Sequence, residues 1–165
     1  MDDPLAVYLH DHLGGSRFAV ELLEKLASEF AGTPSGDVAR ELLAEIQTDR
    51  QTLEEIIAKV GHSATDLYDA LGWVAERVSR VKLRHDDPSG IGTYEAFETI
   101  GLGILGKRAL WEALQVRQRT DTRVAGLDYS LLIARAEQQF QKANQHRLEM
   151  VDVALSPQNG SRRTG

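Results

Sequence analysis

The side chains able to do metal or acid–base chemistry are few, and their spacing is informative. Five histidines occur, His10, His12, His62, His85 and His146, and there is no cysteine. Without thiols, disulfides, thiolate nucleophiles and thiolate metal sites are excluded together. Di-iron sites in helical bundles use Glu-x-x-His pairs, because residues three apart share a helix face and reach the same pair of ions. None of the five histidines has a Glu three residues before it. Glu21 lies off the apolar stripe of its segment, between Arg17 and Lys25 at four-residue spacing. It reads as part of a surface charge ladder.

A second set of polar residues interrupts otherwise apolar stripes near the middles of their segments. These are Ser16, Asp49, Gln139 and either Lys107 or Arg108, which antiparallel packing would bring to one level. A buried carboxylate without a partner is protonated or destabilising, so the economical reading is a hydrogen-bonded core layer. In it Asp49 pairs with Lys107 or Arg108, and Gln139 and Ser16 satisfy each other or water. The alternative is an atypical metal site for iron, manganese or zinc, built from Glu45, Asp49, Glu98 and His146. His146 alone reads as a core histidine held by one hydrogen bond, and His12 lies on a flank beside Asp11.

The elements that position these residues follow from period and punctuation. Asp3-Pro4 is a helix start, with Asp as N-cap and Pro in the first turn. Leu9, Leu13, Ser16, Val20, Leu23, Ala27 and Phe30 then form one apolar face. Thr33–Asp37 reads as a turn, and a second helix to about Val60 carries Leu42, Ile46, Asp49, Leu53, Ile56 and Val60, with Gly61 as its cap. Residues 61–90 read as a helical crossover with Leu67, Leu71, Val74, Val78 and Val81 on a narrower stripe. Tyr94–Arg119 reads as a third helix, apolar on nearly every side at Ile100–Leu105 and therefore buried. Gly101, Gly103 and Gly106 interrupt it at about 1 kcal/mol each, which close approach of another helix backbone would offset. Asp128 caps a last helix bearing Leu132, Ala136, Gln139, Ala143, His146, Met150 and Val153, and residues 156–165 form a polar tail expected to be disordered.

Two antiparallel hairpins joined by a crossover predict an all-α four-helix bundle in one domain, residues 1–155. The stretches DHLGGSRFAVELLEKL and GLGILGKRALWEAL in this setting resemble uncharacterised bacterial ferritin-like proteins. The resemblance implies a ferritin-like fold over about residues 4–155. The di-iron ligand pattern of such folds is missing here.

At 165 residues with 42% hydrophobic content and a net charge of −6, the chain suits one core and does not favour anionic partners. Arg77, Arg80, Lys82, Arg84 and His85 could form an anion or nucleic-acid patch. They lack interleaved aromatics, and basic side chains suit a helix C-terminus in any case. Nucleic acid is therefore not the expected partner. Trp73, beside the crossover stripe, could cover a helix or face a partner. The Gly101-x-Gly103-x-x-Gly106 spacing of a dinucleotide motif is rejected, because no strand precedes it. No apolar run approaches the length of a membrane span, and the acidic start lacks a signal-peptide pattern, so a cytoplasmic setting is expected. The leading functional expectation is a non-enzymatic bundle without a cofactor, acting by self-association or by binding a protein partner. A metal-binding protein or oxidoreductase is the alternative, and an anion or nucleic-acid binder the third.

Overall fold

The computed structural model describes residues 3–61 and 87–157, and all regular structure among them is helical. The elements are α1 (Pro4–Glu29), α2 (Pro34–Val60), α3 (Ile91–Arg117), a 3-10 turn (Thr122–Val124), α4 (Tyr129–Glu149) and a short α5 (Val151–Ala154). No helix among the described residues is long and apolar enough to cross a membrane.

The helix starts are set by side-chain caps. Asp3 accepts from the Leu5 amide at 3.0 Å ahead of Pro4, and Asp128 accepts from the Leu131 amide at 3.0 Å. Thr33 caps α2 directly, its Oγ1 accepting from Gly36 N at 3.3 Å. This corrects the expected turn at residues 33–37: Pro34 already has a helical φ and no amide to leave unpaired, so the helix starts there. The first turn of α2 lies so close to the end of α1 that a Cβ on Gly36 would overlap the Phe30 carbonyl. Gly61 ends α2 at φ 103°, a left-handed conformation that favours glycine.

The apolar stripes face one core. Leu9, Leu23, Leu26, Leu42, Ile56, Phe97, Ile100, Trp111, Leu114 and Ala136 are all essentially inaccessible. Each large aliphatic or aromatic side chain so buried contributes about 1.5–3 kcal/mol. α1 packs chiefly on α2 and α3 on α4, and the two hairpins meet through α1–α3 and α2–α4 contacts. Polar contacts fix the directions. At one end Arg123 Nη1 donates to Asp3 Oδ2 at 2.6 Å and reaches Val60 O at 3.5 Å. At the other end Ser35 Oγ donates to Pro88 O at 2.6 Å and lies 2.8 Å from His146 Nε2. Contacting helices therefore run antiparallel, and Gly61 and Asp87 lie at opposite ends.

Three expectations change. α3 is not enclosed: Ala96, Ile100, Ile104 and Trp111 face inward, but Leu102 is 66% and Val116 62% exposed. Among the described residues, α1 and α4 are the long helices that chiefly pack on it, which leaves an outward side. Gly103 and Gly106 admit no neighbouring backbone; a Cβ on either would meet nothing within 4 Å, and one on Gly101 would meet the Phe140 ring at 3.6 Å. Val153, expected on the last stripe, is exposed, because α4 ends at Met150 and α5 leaves on a new line. The body of the crossover, with Trp73 and the basic cluster Arg77, Arg80, Lys82, Arg84 and His85, lies outside the described residues, as do residues 158–165 of the tail.

Candidate functional site

Mid-height in the core, α2, α3 and α4 each contribute to one polar cluster. Asp49 sits on the inward stripe of α2 and is 2% exposed. Lys107 crosses from α3 to donate to Asp49 Oδ2 and to Gln139 Oε1. Gln139 Nε2 donates to the same Asp49 oxygen at 3.1 Å, closing a three-membered ring of hydrogen bonds. Arg135, one turn before Gln139 on α4, donates from Nη2 to Asp49 Oδ1. Both carboxylate oxygens are thus engaged, and the cluster of one anion and two cations carries one net positive charge.

Lys107 is the member with the most perturbed chemistry. Its side chain is only 14% exposed, and loss of water pulls its pKa below the usual lysine value despite the opposing pull of Asp49. Two of its three N–H groups have acceptors within the cluster.

Beside the cluster, α1, α2 and α3 line a mostly apolar, partly open cavity of about 90 Å³. Its wall includes His12, Gly15 and Ser16 from α1, Ile46 and Asp49 from α2, and Gly103, Lys107 and Trp111 from α3. Neither Gly15 nor Gly103 has an atom within 4 Å of where a Cβ would stand. The Trp111 indole Nε1–H is buried without an acceptor. Burial also lowers the His12 pKa, with Asp11 opposing, and the His12 ring meets Tyr8 edge-on at 4.7 Å.

The residues singled out from the sequence divide accordingly. Asp49, Lys107 and Gln139 come together. Arg108 does not join them: one residue on, it points outward, donating to Glu112 at 3.0 Å and Glu137 at 2.7 Å. Ser16 lines the cavity, but its Oγ donates to Leu13 O at 2.7 Å, not to Gln139. Arg135 was not among the candidates. Its place four residues before Gln139 on the same helix face was the available signal.

The alternative metal set does not converge. Glu45 accepts from Lys142 at 3.0 Å, Glu98 faces Arg147 at 3.9 Å, and Asp49 is held by Lys107 and Arg135. His146 is buried at the far end against Ser35 and edge-on to Phe97. Because the Ser35 hydroxyl proton goes to Pro88 O, Nε2 of His146 must be the donor to Ser35. Burial lowers the His146 pKa, with Glu149 opposing. Among the described residues, no group of three or more His, Cys, Asp or Glu side chains is placed to hold a metal ion. Chemically, the cluster is suited to fixing the register of three helices and to presenting one ammonium to a cavity. It contains no nucleophile paired with a general base.

No family model, curated protein or solved structure matches this chain.

Proposed function

We propose that this chain is a non-enzymatic helical bundle of ferritin-like connectivity, and that it acts by associating with a second copy of itself. The connectivity reading rests on the antiparallel arrangement of contacting helices and on Gly61 and Asp87 lying at opposite ends of the bundle, which suits a fold with one crossover connection. Fold alone carries no activity, so iron storage and oxidase chemistry are not transferred.

The observation that carries the association is the outward side of α3. Leu102, Ala109, Ala113 and Val116 recur at intervals of seven, four and three, and all are exposed. Leu105 and Gly106 lie half-buried beside them. Over these four turns the charged groups of α3 that reach the surface are Arg108 and Glu112, already paired with each other, Arg108 also with Glu137. Small and apolar residues at this spacing let a second helix approach closely along a seam. Surface helices of a monomer ordinarily carry charge there.

Sedimentation equilibrium across a wide concentration range tests the proposal. The expected result is a reversible dimer that becomes monomeric in the Leu102→Lys, Val116→Lys double variant while its helical circular dichroism is retained. A wild-type chain that stays monomeric at its highest attainable concentration would refute it.

A further inference from the structure

We infer that the cavity between α1, α2 and α3 is a binding site for a short-chain aliphatic monocarboxylate, with the carboxylate on Lys107 and the alkyl tail between Gly15, Gly103 and the Trp111 ring. Three independent features point there. The first is space left beside a helix-interior glycine. A helix-interior glycine costs about 1 kcal/mol relative to alanine. Half-buried Gly15 incurs that cost on the cavity wall with no atom within 4 Å of where its Cβ would stand, and exposed Gly103 lines the same cavity at its rim. The second is chemistry in the wall. Lys107 lines the cavity with an ammonium that has two acceptors and three protons. The Asp49 carboxylate beside it is already compensated by two cations, Lys107 and Arg135, so an incoming anion meets a net positive site. The third is an unmet donor: the Trp111 indole Nε1–H is buried without an acceptor beside a cavity that Trp111 itself lines, and a buried donor left so carries a penalty of about 1–3 kcal/mol.

Size and polarity select the ligand class. A water molecule's share of liquid volume is about 30 Å³, so 90 Å³ holds a chain of a few heavy atoms. Ile46, Leu53, Ile104 and Leu110 make most of the remaining wall apolar, with Arg50 a second cation in it, which favours a hydrocarbon tail on an anionic head. An alkylammonium would place like charge against Lys107.

The test uses butyrate as probe, with butylammonium and 1-butanol as charge controls, followed by titration calorimetry and saturation-transfer NMR on the full chain. Saturable butyrate binding is expected, with butylammonium inactive and butanol weaker by about tenfold, the effect of one lost charge-assisted hydrogen bond. Gly15→Leu fills the cavity from α1 and is expected to abolish binding while the thermal melt stays cooperative. Lys107→Met removes the head-group contact and is expected to abolish the preference for butyrate over butanol. Gly15→Ala, which intrudes less, covers the case in which either larger change prevents folding and is expected to weaken butyrate. No saturable binding to the wild-type chain, with the cavity holding water alone, overturns the inference. So does butyrate affinity that is unchanged in the folded Gly15 variants.

Discussion

Lys107 and Asp49, 58 positions apart in sequence, meet across the core with the ammonium on Oδ2, while Arg135 takes the other carboxylate oxygen. The pair is therefore neither a surface ion pair of small worth nor an isolated buried one. Gln139 bonds to both partners, so both carboxylate oxygens are satisfied, the condition under which a buried anion is tolerated, while the buried Arg135 Nε–H is left without an acceptor.

It follows that truncating one partner costs more than replacing several. Asp49→Ala leaves Lys107 and Arg135 facing each other without an anion, and a loss of about 3–5 kcal/mol is expected in urea unfolding. The triple change Asp49→Leu, Lys107→Met, Gln139→Leu removes the most buried charges and the amide, leaving Arg135, which is 30% exposed and can turn to solvent, and is expected to recover most of that loss. Equal destabilisation by the single and triple variants would show that packing volume, not stranded charge, sets the cost.

The sequence showed part of this layer and hid the rest for identifiable reasons. Asp49 and Gln139 stood out because each interrupts an apolar row of regular period, so their phase on the helix was fixed by their neighbours. Lys107 and Arg108 could not be separated that way. Adjacent residues differ by a large rotation, but α3 is apolar on almost all sides near them and offers no phase to measure against. Arg135 shares a face with Gln139 four residues on, but whether it reaches Asp49 depends on the length and direction of its side chain, which that spacing does not measure. The cavity was hidden by an ambiguity of glycine itself: the same residue serves close packing and empty space, and the local pattern is identical for both.

Acidification should destabilise the fold before the carboxylates titrate. His12 and His146 are both held below the ordinary 6.5 by burial, so in the folded state they bind fewer protons than in the unfolded chain. With more protons on the unfolded state, stability rises with pH. The contribution is fully present above about pH 6.5 and is lost as pH falls through 6.5 toward the folded values. Melting temperatures between about pH 7.5 and 5.5 should therefore decline, and His146→Gln, which can still donate to Ser35, should flatten that decline. A slope unchanged in both His146→Gln and His12→Gln would refute the assignment.

Arg123 holds three segments at the end of the bundle where α1 begins and α2 stops. It donates to Asp121 through Nε and Nη2 at 3.0 and 2.7 Å, to Asp3 at 2.6 Å, and reaches the Val60 carbonyl. The Asp121 carboxyl is consequently held well below the usual carboxylate range, chiefly by this guanidinium. Arg123→Met should leave the centre of the core intact and loosen this end. Hydrogen exchange is the readout: amides in the last turn of α2, before Gly61, should exchange faster, while those around Asp49 and Gln139 keep their protection. Uniform acceleration throughout the chain would mean that the clamp supports global stability instead.

The glycines give opposed expectations from one substitution. Gly15→Ala and Gly103→Ala place a methyl group in open volume, keep a helical backbone and reduce the freedom of the unfolded chain, so each is expected to stabilise by about 0.5–1 kcal/mol. Gly36→Ala is also within a helix, and propensity alone would assign it the same gain. Its Cβ, however, would overlap the Phe30 carbonyl, backbone that cannot swing aside as a side chain does. The first turn of α2 would have to move away from the end of α1, and Ser35, which holds His146 and the Pro88 carbonyl, would move with it. Urea unfolding of the three variants should therefore give two gains and one loss. A loss at Gly15 or Gly103 would show that the volume there is not free, and it would remove the cavity from the account of what this chain binds.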